Sequence, residues 1–122
     1  MLIKDVTDLE VYNESLRLLK LLYEFLKKVP SSEFNLVHQC KKCGTSIPAN
    51  IAEGWAKRSS APEFKRFLKI AIGSSDELVN HLRLIEIIAP RISKEGNRLF
   101  QEYKVLSKRL NSLHTNWRSG KL

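Results

Sequence analysis

The sequence predicts an all-α protein, an antiparallel up-and-down four-helix bundle. Three observations lead there. Apolar residues recur three and four apart over four separate stretches, each stretch ends in Pro- or Ser-rich punctuation, and 122 residues hold only five glycines and four prolines. No stretch alternates apolar and polar residues as a strand would, and no internal repeat of roughly 20–50 residues is present.

The first helix is expected from Asp8 to Val29. Leu9, Tyr12, Leu16, Leu19, Tyr23 and Leu26 share one face, and Val11, Leu18, Leu22, Phe25 and Val29 form a second stripe about 120° away at the helical pitch. A bundle interior covers one stripe, so the other calls for a further partner, such as a neighbouring subunit. Pro30-Ser31-Ser32 stops the helix. The second helix, Phe34 to Ala56, carries Leu36, Cys40, Cys43, Ile47, Asn50 or Ile51, and Gly54 along its seam, with Pro48 inside it. Proline removes one backbone donor and crowds the carbonyl of Gly44, so the expectation is one kinked helix, the alternative being two short helices broken at Ser46-Ile47-Pro48.

Lys57 to Pro62 is a connector, and Ser60-Ala61-Pro62-Glu63 reads as a capping box for a third helix over Ala61 to Ile88. Its seam is Phe64, Leu68, Ala71, Ser75, Leu78, Leu82 and Ile85. Gly73 in its middle suggests close helix approach at the expense of propensity. After Ala89-Pro90-Arg91-Ile92, Ser93 is a candidate cap for the fourth helix, Lys94 to Arg118. Leu99, Tyr103, Leu106, Leu110, Leu113 and Trp117 form its apolar seam, spaced 4-3-4-3-4. Lys94, Arg98, Lys104, Lys108 and Arg109 lie opposite.

This length suits one domain, taken as residues 1–122, that buries a core without disulfide or metal support. The N-terminal stretch lacks the basic start, apolar run and small-residue cleavage site of a secretion signal, and no run approaches the roughly 20 apolar residues of a membrane span. A soluble cytoplasmic protein without membrane partners is the expectation. The formal net charge is +8 and unevenly spread. Residues 1–37 carry a net −1, residues 38–69 a net +5, and residues 91–122 a net +6. Such asymmetry points to a polyanionic partner, nucleic acid foremost.

The segment Ser46-Ile47-Pro48-Ala49-Asn50-Ile51-Ala52-Glu53-Gly54 closely resembles the signature of the 23S rRNA intervening-sequence protein family. Asp8-Leu9-Glu10-Val11-Tyr12 looks like that family's opening. Glu63-Phe64, Phe67-Leu68, Ile70 to Ser74 and Glu77-Leu78 look like its third-helix pattern. The resemblance spans about residues 5–90. It implies a four-helix bundle assembling as a ring-like homopentamer, encoded by reading frames that can lie within insertions in bacterial large-subunit rRNA genes. The related accessory proteins of diversity-generating retroelements are basic pentamers that bind nucleic acid and a reverse transcriptase. The central motif here belongs to the intervening-sequence branch.

No catalytic constellation can be assembled from these residues, so no enzyme activity is expected. Asn50 and Glu53, and Ser74 and Glu77, are pairs three residues apart on facing helices. If the helices pack at Gly54 and Gly73, the two pairs could meet in a buried hydrogen-bond network that sets register, with Ser46 and Pro48 completing the motif. Cys40-Lys41-Lys42-Cys43 has no second CxxC to complete a four-ligand zinc site. Both cysteines are expected in the core, with no metal and no cofactor, and His38, His81 and His114 are read as surface or packing residues. Trp55 could stack on a base but fits the bundle's edge better.

The functional expectation rests on cations. Lys41, Lys42, Lys57, Arg58, Lys65, Arg66, Lys69, Lys94, Arg98, Lys104, Lys108 and Arg109 are the candidate nucleic-acid-binding residues. They would gain affinity by releasing counterions from a phosphate backbone, with little base readout. The expected function is that of a non-enzymatic oligomer binding nucleic acid, RNA in preference to DNA. The alternative is a scaffolding oligomer with a protein partner.

Overall fold

The computed structural model describes residues 3–118; Met1, Leu2 and residues 119–122, the ends of the expected domain, lie outside the described residues. Four α-helices follow one another: α1 (Glu10–Leu26), α2 (Phe34–Ala56), α3 (Ala61–Ile88) and α4 (Ser93–Asn116). Short connectors force each helix to run back along its predecessor, and close backbone approach runs α1–α2–α3–α4–α1, with none across the diagonals among the described residues. The architecture is therefore the expected four-helix bundle. α3 is the most embedded helix and α1 the least.

The helix ends follow local chemistry. α1 is shorter than expected because Asp5 and Asp8 cap a separate 3-10 turn (Val6–Asp8) and leave Leu9 extended. Asp8 accepts from the Lys4 and Asp5 amides at 3.0 Å, and Asp5 accepts from the Thr7 hydroxyl at 2.6 Å. Ser60 caps α3 by accepting from the Glu63 amide at 3.3 Å, but Glu63 does not reach back. Its carboxylate pairs with Arg66 instead. Ser93 is not a cap; it is the first residue of α4, behind a 3-10 turn over Pro90–Ile92.

α2 runs unbroken through Pro48, so the two-helix alternative fails. Gly44 has a second task besides facing the proline. A Cβ there would lie 2.7 Å from Leu22 Cδ2 and 3.0 Å from Leu19 Cδ1, so its absence lets α1 lie against α2. Gly54 does the same for α3, where a Cβ would meet Phe67 Cβ at 2.8 Å and Phe64 Cδ1 at 2.9 Å. Gly73 corrects the expectation of close approach, for nothing lies within 4 Å of its missing Cβ.

The expected seams of α3 and α4 are buried in full. On α1 the stripe of Val11, Leu18, Leu22 and Phe25 enters the core, while Leu16 and Tyr23 on the other stripe stay 42% and 37% exposed. Each large aliphatic side chain taken wholly from water contributes about 1.5–3 kcal/mol, which makes Ile47, Ile51, Leu68 and Leu78 the principal glue between α2 and α3. Trp55, Phe64 and Trp117 close one end edge-to-face, with centroids 4.6–6.3 Å apart. Trp55 is thus a core residue, not a free stacking platform.

Candidate nucleic-acid interface

The antiparallel register sets which cations meet. Along the outer groove between α3 and α4, Lys104 and Lys108 line a shallow depression with Asp76, Val79, Ser107 and Asn111. Further along this flank, Lys65 and Lys69 of α3 act electrostatically on His114 of α4. Partial burial lowers the His114 pKa most, and the two lysines lower it further. At the other end Arg83 and Lys104 lie over the Phe100 ring, at 4.9 and 5.4 Å from its centroid. Among the described residues none of Lys65, Lys69, Arg83, Lys104 and Lys108 forms an ion pair.

Buried hydroxyls join the two helices beneath this surface. Ser107 Oγ donates to Ser75 Oγ at 2.7 Å, and Ser75 Oγ donates to the Tyr103 carbonyl at 3.2 Å. These bonds need no surface charge, so the lysines above them stay available.

The other candidate cations lie elsewhere. Arg98 lines the groove between α1 and α4 among Glu24, Glu95 and Glu102, and Arg109 lies beside Asp8 and Glu10. In this region Arg17 bonds Glu102 at 2.7 Å and Lys28 bonds Glu95 at 2.7 Å. Lys57 pairs with Glu53 at 3.4 Å and Arg66 with Glu63 at 2.9 Å. Arg58 folds over Trp55 and donates to its carbonyl, and Lys41 sits over Tyr23. Lys42 and Lys94 are exposed. The basic side of α4 is therefore two edges, Lys104 and Lys108 facing α3, Arg98 and Arg109 facing α1.

The central motif divides similarly. Ser46 Oγ and Ser74 Oγ lie 2.8 Å apart across α2 and α3, and Asn50 donates to Ser46 Oγ at 2.9 Å and to the Ser46 carbonyl at 2.8 Å. These bonds join α2 to α3 at the motif but are half-buried where a buried network was expected, and neither Glu53 nor Glu77 takes part in them. Glu53 points to solvent and pairs with Lys57 four residues on. Glu77 is also largely exposed and accepts from Cys43 Sγ at 2.7 Å. Cys40 and Cys43 are both buried, as the seam spacing required, and burial pushes each thiol up to about 12.

The sequence-based reading passed over Arg83 and Asn111 and took His114 for a surface or packing residue. The signal was present in the heptad spacing of Lys69, Asp76 and Arg83, which puts them on one face of α3.

Among the described residues no helix is long and apolar enough to cross a membrane. A search of curated proteins finds no match. The family model for 23S rRNA-intervening sequence proteins matches residues 7–112, extending the likeness through most of α4, where the motifs had given only periodicity. A bundle of this topology, with the motif Ser46–Gly54 at its α2–α3 seam and a match across most of its length, belongs to the 23S rRNA-intervening sequence protein family.

Proposed function

We propose that the protein is an oligomeric RNA-binding module that grips phosphate backbones along the α3–α4 flank. The observation that carries this reading is the row of cations there, Lys65, Lys69, Arg83, Lys104 and Lys108, with no ion pair among the described residues to neutralise them. A helix groove lined by lysines suits a sugar–phosphate chain and offers little to read base edges, so binding is weakly selective. The family's link to rRNA favours RNA over DNA as the partner. Lys41, Lys42 and Lys94 extend the field, whereas Lys57 and Arg66 are paired with carboxylates, Arg58 donates to a carbonyl, and Arg98 and Arg109, though without an ion pair among the described residues, lie among three and two carboxylates against the single Asp76 beside Lys104 and Lys108.

Self-association supplies the rest. Leu16 and Tyr23 leave α1 with an exposed apolar edge toward α2, Leu21 is exposed on the opposite edge across a polar strip of Arg17, Lys20 and Glu24, and α1 is the least embedded helix. Packing those edges against further copies would repeat the +8 charge around a ring, a homopentamer in this reading. A protein partner remains the second reading. It is favoured by Phe34, Leu84, Ile87 and Ile88, all exposed where α2 begins and α3 ends.

Fluorescence anisotropy with labelled single- and double-stranded RNA and DNA, across a salt series, tests the proposal. Binding to RNA with log Kd rising linearly in log salt is expected. Absence of binding to any nucleic acid at low salt overturns it. Light scattering on the same sample reports the subunit number, and a monomer refutes the ring.

A further inference from the structure

The α2–α3 seam holds a second polar cluster, one turn beyond the serine pair. Cys43 comes from α2, and Glu77 and His81 from one face of α3, four residues apart. Cys43 Sγ lies 2.7 Å from Glu77 Oε2, and that oxygen lies 3.5 Å from His81 Nε2. One donor atom from each of the three residues falls within 4.8 Å of the others. We propose that Cys43, Glu77 and His81 form a three-ligand site for a borderline-soft divalent transition ion of the zinc kind, pinning α2 to α3 and leaving a fourth position for water.

Three observations support the assignment independently of the nucleic-acid reading. The first is donor chemistry. One thiolate, one imidazole and one carboxylate form a set that zinc, cobalt and their neighbours accept, and that magnesium and calcium, which prefer all-oxygen sites, do not. The second is His81. Both its ring nitrogens are shielded from solvent and have no hydrogen-bond partner, since Nε2 faces Glu77 without hydrogen-bond alignment. Buried ring nitrogens without a hydrogen bond are rare and call for an explanation, and an ion is one. The third is spacing. Tetrahedral coordination at ordinary zinc bond lengths separates neighbouring donors by about 3.4–3.6 Å. The Glu77–His81 separation already has that value, and Cys43 and Glu77 need to part by about 1 Å.

Access and proton balance are also in place. The Glu77 side chain is 58% exposed and opens the cluster to solvent, while Cys43 and His81 form its sheltered wall. On binding, the Cys43 thiol loses its proton to water and the thiolate sulfur bonds the ion. Cys40, fully buried in the core, is not among the three donors, so the CxxC spacing is not what makes the site. Lys42 is the neighbouring charge that works against a cation, since its field reaches both Cys43 and Glu77.

Titration of the reduced full-length chain with Co²⁺ tests this directly. One equivalent should bind, with a thiolate-to-cobalt charge-transfer band and the intense visible bands of four-coordinate cobalt. Zn²⁺ should displace it and raise the melting temperature, and millimolar Mg²⁺ should not. Glu77→Gln, at an exposed side chain, and His81→Gln, at a mostly buried one whose folding the apo melting temperature checks, should each weaken binding at least ~10-fold, the least that loss of a partner at a metal site produces. Cys43→Ser should abolish the charge-transfer band, while Cys40→Ser leaves it in place. No thiolate band in the wild type, a band retained by Cys43→Ser, or unchanged affinity in both Gln variants overturns the site.

Discussion

The two flanks of α4 are built on opposite plans. Toward α3, the helices are joined from inside by the hydroxyl chain of Ser107, Ser75 and the Tyr103 carbonyl, and the lysines above it have no ion pair among the described residues. Toward α1, the helices are joined at the surface by Arg17–Glu102 and Lys28–Glu95, and the basic groups there are interleaved with carboxylates. The same excess of cations in one helix thus has two fates. Where buried neutral groups supply the polar adhesion, surface charge is left for a ligand. Where surface charge supplies it, Arg98 and Arg109 are left without an ion pair among the described residues but stand among several carboxylates.

The largest expected effect breaks this comparison if it is wrong. Reversing Lys69, Lys104 and Lys108 to Glu should weaken RNA binding at least ~100-fold at low salt, because each phosphate contact adds about one to the salt slope and reversal also repels. Arg98→Glu with Arg109→Glu should change it only a few-fold. Equal losses by anisotropy would show that net charge alone matters and that the flanks do not differ.

Next in size is the adhesion inside the α3–α4 flank. Ser75→Ala removes the acceptor of Ser107 and should cost about 1–3 kcal/mol in urea unfolding, as a buried hydroxyl loses its partner. RNA affinity of the folded variant should stay near wild type. A cost below a few tenths would mean that the hydroxyl chain does not hold the helices.

The smallest effects belong to the α1 flank. Glu102→Ala should cost no more than about 1 kcal/mol, with the difference shrinking in high salt, because both partners face water. Glu14 sharpens the point. Hydrogen bonding from Arg17 holds its carboxyl below the usual carboxylate range. Its contribution is therefore full above the unfolded carboxylate pKa and is lost as pH falls through the folded one. Unfolding followed across that acid window should show a small loss of stability that Glu14→Gln reduces, the remainder coming from Asp5, Glu63 and Glu77, which are lowered as well. A loss of equal size in the variant would assign it to other carboxylates.

Most of the fold was legible in the chain. The seams of α3 and α4 were read residue for residue, because helical spacing and burial are the same fact in a bundle. The ends of α1 and α4 were less so. Asp5 and Asp8 cap a 3-10 turn of their own, and Ser93 leaves its capping role unfilled, and neither is visible in residue type alone. The candidate site was legible as a set of residues and not as an arrangement. Glu53–Lys57 and Glu63–Arg66 are pairs at helical spacing that the sequence already offers, whereas Arg98 and Lys104 look alike in sequence and differ in their neighbours across the groove. Gly73 and Gly54 also look alike, and only one of them lies against another helix.

The chain by itself determined four amphipathic helices, their connectors, their basic excess and the motif from Ser46 to Gly54, because each is a matter of spacing within a few turns. Tertiary structure alone decided that Arg17 and Lys28 meet Glu102 and Glu95, that Glu53 leaves the serine network, and that His81 stands beside Cys43. Those are questions of what faces what across an interhelical seam. Their answers depend on the register of helices that are dozens of residues apart along the chain, which local periodicity does not encode.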